Sequence, residues 1–118
     1  MNTTYRFAIR LLLTGMLLVP FACTSDEANC VDLCQEGQAK DCTAIKGSCS
    51  AFCDALINVE NDAGCADERQ TYQDCLNGQP DVCDGCSAAE NALSDCVGTF
   101  CLGNSGDPDC QTLINAYQ

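Results

Sequence analysis

Histidine and tryptophan are absent from this 118-residue chain, and 5 Lys and Arg stand against 17 Asp and Glu. Without His there is no Ser-His-Asp triad, no Cys-His pair and no His-ligated metal. The formal charge of −12 repels phosphate, which excludes nucleic acid as a partner. Long apolar runs are also missing. The longest, residues 11–21 (LLLTGMLLVPF), falls well short of the ~20 residues that cross a bilayer. Val, Ile and Thr are sparse and alternate nowhere for long, so strand signals are weak. Abundance lies in one residue type. There are 13 Cys, a density that marks a disulfide scaffold in an oxidising compartment.

The amino terminus reads as an address. Arg6 and Arg10 precede the apolar run, and polar residues (TSDEAN) follow Cys23. This order suits a secretory signal peptide. Two processing routes fit. Ordinary cleavage would make Cys23 the first disulfide cysteine. Ala22-Cys23 also resembles the end of a bacterial lipobox, with Pro20 where Leu is usual, and that resemblance implies acylation of Cys23. Parity favours acylation: with Cys23 modified, twelve cysteines remain and can all pair. These are Cys30, Cys34, Cys42, Cys49, Cys53, Cys65, Cys75, Cys83, Cys86, Cys96, Cys101 and Cys110. The expected organisation is a lipoprotein signal peptide over 1–22, a lipidated Cys and short tether over 23–29, and a Cys-rich helical domain over 30–118. The processed chain keeps Lys40, Lys46 and Arg69 as its cations against 17 acids, a net charge of −14. Attachment to a membrane then depends on the lipid.

The body has helical periodicity. Cys49, Phe52, Cys53, Leu56 and Ile57 follow i, i+3, i+4, i+7, i+8, as do Leu93, Cys96, Val97, Phe100 and Cys101. Cys110, Leu113, Ile114 and Tyr117 form a third face. Ser87 to Glu90 has the form of a capping box, Asp107-Pro108 places a capping acid before a first-turn proline, and Ser25 precedes Asp26 and Glu27. Gly37, Gly78 and Gly103 fall where helices would stop. Five short helices are predicted, over 26–37, 47–59, 65–77, 87–102 and 108–117. The predicted core is Phe52, Leu56, Ile57, Tyr72, Leu93, Val97, Phe100, Leu113 and Ile114.

Cysteine spacing sets the expected pairing. Cys30/Cys34 and Cys49/Cys53 are C-x(3)-C pairs, one helical turn apart on one face. Cys65/Cys75 and Cys86/Cys96 are C-x(9)-C pairs, ~15 Å apart along a helix. Packing two such helices antiparallel brings the first Cys of one to the second of the other. The expected bridges are Cys30–Cys53, Cys34–Cys49, Cys65–Cys96 and Cys75–Cys86. Cys101 and Cys110 flank a turn, so a local bridge between them is one option, which would leave Cys42 with Cys83; spacing leaves the connectivity of these four open. The fold class is therefore all-α, a small disulfide-stapled bundle of helical hairpins.

Residues 30–53 resemble the twin C-x(3)-C hairpin of the small translocase chaperones of the mitochondrial intermembrane space. Residues 65–96 resemble the twin C-x(9)-C coiled-coil-helix hairpin. The whole chain is similar to the small Cys-rich lipoproteins of myxobacteria and related bacteria, on segments such as QTYQDCLNG and NALSDCVGTFC. That likeness implies an envelope location and a helical architecture, and it supplies no catalytic residue.

Three constellations have the residue types for chemistry. Cys83-Asp84-Gly85-Cys86 is a C-x-x-C, the spacing of thiol–disulfide exchange sites, but no βαβ pattern surrounds it. The two C-x(3)-C pairs offer four thiolates to zinc, although export favours disulfides. Asn58, Glu60 and Asp62 alternate as in a calcium loop, yet Arg69 holds the position of the closing acid. The expectation is therefore no catalytic residue, no cofactor and no metal. The chain reads as an exported, outer-membrane-anchored module of the bacterial cell envelope, with a structural or protein-interaction role and an unidentified protein or ligand partner. A ligand-binding or inhibitor domain is the alternative, and an oxidoreductase using Cys83 and Cys86 ranks below both.

Overall fold

Acids at a first turn, a proline at another and glycines at helix ends divide the described residues into five α-helices. In the computed structural model, residues 26–118 other than position 84 are described. Residues 1–22, Cys23, Ser25 and Asp84 lie outside the described residues. The helices are α1 Asp26–Ala39, α2 Cys49–Ala63, α3 Ala66–Asn77, α4 Ser87–Gly103 and α5 Pro108–Ala116, and there is no strand among the described residues. α1 opens on Asp26 and Glu27, whose charge suits a helix N-terminus. Residues 26–29, covered by both the expected tether and the expected first helix, are helical.

The four bridges expected from the spaced pairs are present, and the four cysteines left open form two more. Cys30–Cys53 and Cys34–Cys49 staple α1 to α2. Cys65–Cys96 and Cys75–Cys86 staple α3 to α4. Cys101–Cys110 closes α4 onto α5, and Cys42–Cys83 ties the loops of the two hairpins. Cα–Cα spans run from 5.5 to 6.0 Å, the separation a bridge requires. α2 is the hub, packing on α1, α5 and α4. Among the described residues, five of the twelve buried hydrophobic ones are cysteines: Cys34, Cys49, Cys53, Cys65 and Cys110. The bridges thus make up much of the core as well as cross-linking it.

Phe52, Leu93 and Leu113 are buried as expected, and Leu56, Ile57, Tyr72, Val97 and Phe100 are half-buried. Ile114 is 48% exposed, contrary to expectation, because Leu113 and Ala116 form the inward face of α5. Ala55, Val59, Leu76 and Ala116 complete the core.

Three local expectations are corrected. α2 continues to Ala63 through a segment that reads as a polar loop. Val59 and Glu60 are buried there, and the helix ends on Gly64 at φ +75°, which glycine adopts without a Cβ penalty. Its start is capped by Ser48, whose hydroxyl accepts from the Ala51 amide at 3.2 Å. Gly37 is no terminus. It is buried inside α1, where a Cβ would lie 3.2 Å from the Cβ of Thr43, so its small size admits the returning loop. Ser87 is not a cap either. Cys86, held by its bridge to Cys75, takes the N-cap position at φ +66° without a side-chain hydrogen bond, and Ser87 is already the first helical residue.

The Asp107-Pro108 signal is borne out: Asp107 Oδ1 accepts from the amides of Asp109 at 2.9 Å and Cys110 at 3.0 Å. Asp107→Ala is expected to destabilise the oxidised protein by ~1 kcal/mol, read as a lower urea midpoint with an unchanged slope.

Candidate functional site

An apolar cleft opens between the two hairpins. Its volume is about 540 Å³, within the range of small-molecule sites. α1 contributes Leu33 and Gly37, and α2 contributes Phe52 and Leu56. α3 adds Tyr72 and Leu76, α4 adds Glu90, Leu93 and Val97, and the carboxy-terminal segment adds Leu113, Ile114 and Tyr117. The local sequence explains the lining. Positions 69, 72, 73 and 76 of α3 share one face, as do 90, 93, 94 and 97 of α4. The Tyr117 ring stands edge-on to Phe52, with centroids 6.1 Å apart and planes at 86°. Tyr117 and Ile114 remain 57% and 48% exposed.

Glu90 lines the same cleft. Burial pushes the Tyr72 hydroxyl up to about 12, and the nearby charge of Glu90 adds to the shift. Tyr117 is also raised, again by burial first and then by Glu90.

Arg69, one turn before Tyr72 in the cleft lining, belongs to a buried ion group. Glu60 is fully buried, and its Oε2 sits 3.1 Å from Arg69 Nε. Arg69 Nη2 reaches Asp26 Oδ2 at 3.2 Å, so one guanidinium bridges α2, α3 and the start of α1. The Glu60 contact has the distance of an ion pair without the alignment of a hydrogen bond. Burial therefore dominates and raises Glu60 to about 7; Arg69 opposes the shift and Asp26 adds to it. The Gln73 side chain donates to the Asp26 carbonyl at 3.4 Å. Outside the cleft, Lys40 pairs with Glu36 at 2.8 Å and with Asp81 at 3.1 Å beside the Cys42–Cys83 bridge.

The chemical candidates take different places. Cys83 is bonded to Cys42 and Cys86 to Cys75, so the C-x-x-C holds no bridge of its own. The four C-x(3)-C sulfurs are bonded in pairs and present no thiolates. Asn58, Glu60 and Asp62 lie on α2 rather than in a loop, and Glu60 turns inward to Arg69. Among the described residues no three His, Cys, Asp or Glu are grouped to hold a metal ion, and no helix is long and apolar enough to cross a membrane. Sequence reasoning missed Glu60, Gln73 and the cleft itself. For Glu60 a signal existed, since it stands eight residues beyond Phe52, at a spacing that returns to the same helix face.

No family model matches the chain, and no curated protein or solved structure matches it. The functional reading therefore rests on the chain's own chemistry.

Proposed function

We propose that the protein is an exported lipoprotein, anchored through an acylated Cys23, whose disulfide-stapled domain acts at the cell envelope as a structural or protein-interaction module rather than as a catalyst. One observation carries this reading. All twelve cysteines from Cys30 onward are paired with one another inside the domain. The sulfur at Cys23 is the one left over. A stray thiol is a liability in an oxidising compartment, whereas thioether acylation removes it. The residues preceding Cys23 have the order of a signal peptide, and a domain with so few cations needs a lipid to stay on an anionic membrane. The lack of His supports such a module over acid–base or nucleophilic catalysis. The alternative of a ligand-binding domain gains support from the cleft, whose mouth exposes Ile114 and Tyr117.

Intact-mass spectrometry of the protein recovered from an exporting bacterium tests the reading. The expected species starts at Cys23, carries acyl groups and takes up no thiol-alkylating reagent. Cys23→Ser is expected to move the protein out of the membrane fraction or leave its precursor uncleaved. An unacylated mature terminus, or several alkylated cysteines, would overturn it.

A further inference from the structure

We infer that the cleft between the hairpins binds a small apolar molecule carrying one positive charge. This deepens the ligand-binding alternative above by naming a ligand class. The walls supply the apolar half: Leu33, Phe52, Leu56, Leu93 and Val97 are among the residues that line an open cleft of about 540 Å³. Among the described residues, two of the three exposed large hydrophobic side chains, Ile114 and Tyr117, line the same cleft. An occupant would cover apolar surface that now meets water.

Charge selects the rest. Tyr72, Tyr117 and Glu90 all line the cleft, and both phenols feel the Glu90 carboxylate. Neither hydroxyl is hydrogen-bonded to another described residue, and Glu90 has no ion pair among the described residues. Aromatic faces beside a carboxylate attract an ammonium group. An anionic head finds no such partner. Arg69, the cation lining the cleft, is held by Glu60 and Asp26. The excess of 17 acids over the three cations from residue 23 onward favours the same ligand sign at long range.

The test is calorimetric titration of the exported, oxidised protein, held in a nonionic detergent, with octyltrimethylammonium, 1-octanol and octanoate. The expected order of affinity is cation, then alcohol, then carboxylate. Glu90→Gln, an exposed substitution, is expected to weaken the cation by ~2–5-fold and leave octanol unchanged. Gly98 lines the cleft, and a Cβ there meets nothing within 4 Å. Gly98→Leu is therefore expected to fill the cleft and abolish binding of all three probes, whereas Gly98→Ala keeps both fold and binding. Equal affinity for cation and octanol, or undiminished binding by a folded Gly98→Leu protein, would overturn the inference. Binding confined to Cys23→Ser would also overturn it, by making the protein's own acyl group the occupant. The intact mass of each sample separates the two readings. Failure to bind by a fully oxidised, acylated protein counts against the cleft alone, and a free-thiol, unacylated protein counts against the anchored module.

Discussion

Full reduction of the six bridges, without denaturant, is expected to abolish most of the far-ultraviolet helical signal. Every helix carries at least one bridged cysteine: Cys30 and Cys34 in α1, Cys49 and Cys53 in α2, Cys75 in α3, Cys96 and Cys101 in α4, Cys110 in α5. Each bridge restricts the unfolded chain by ~2–4 kcal/mol. A domain's whole net stability is ~5–15 kcal/mol. Losing even three or four of these constraints matches that margin, although nested loops do not add simply. The remaining core cannot compensate. Apart from cysteines, its buried hydrophobic residues are Phe52, Ala55, Val59, Leu76, Leu93, Leu113 and Ala116, three of them no larger than valine. Isolated helices of these lengths are marginal in water. Helical circular dichroism that persisted after complete reduction and alkylation would contradict the account.

The second large effect is a pH dependence centred on Glu60. Its folded-state pKa of about 7 lies above the ordinary 4.5. Between those values the folded protein holds a proton that the unfolded chain releases. Stability from this group is thus complete below pH 4.5, falls as pH rises, and is gone above pH 7. The difference corresponds to ~3 kcal/mol. Glu60→Gln keeps the side chain neutral at every pH. Urea unfolding from pH 5 to pH 8 is expected to show the wild type losing stability while Glu60→Gln loses much less. Parallel slopes would place the dependence on other groups. Arg69 remains paired to Asp26 in the variant, which limits the cost of losing its buried partner.

Much of this fold was legible because cysteine spacing reports helix phase directly. An i, i+4 pair fixes which face of α1 meets which face of α2, and a second pair fixes the direction. Cys30–Cys53 and Cys34–Cys49 follow from that alone. Asp107-Pro108 was equally readable, since cap and proline act within one turn. The errors arose where tertiary contacts override local preference. Glu60 reads as a loop acid until Arg69, nine positions on, is brought beside it. Ser87 and Glu90 have the cap signature, but the Cys75–Cys86 bridge sets the helix start one residue earlier. Gly37 reads as a stop because the approach of Thr43 leaves no mark in sequence. The cleft was not legible at all. It depends on the distance between two hairpins, which Cys42–Cys83 and the packing of α2 against α4 decide together.

The Cys42–Cys83 bridge has a topological consequence for survival among proteases. Between residues 53 and 65 it is the single cross-link that spans the chain; Cys30–Cys53 covers the stretch before, and Cys65–Cys96 the stretch after. A peptide bond cut anywhere from Cys30 to Cys96 therefore releases no fragment. The pieces stay covalently joined at high local concentration, so a nicked molecule remains whole.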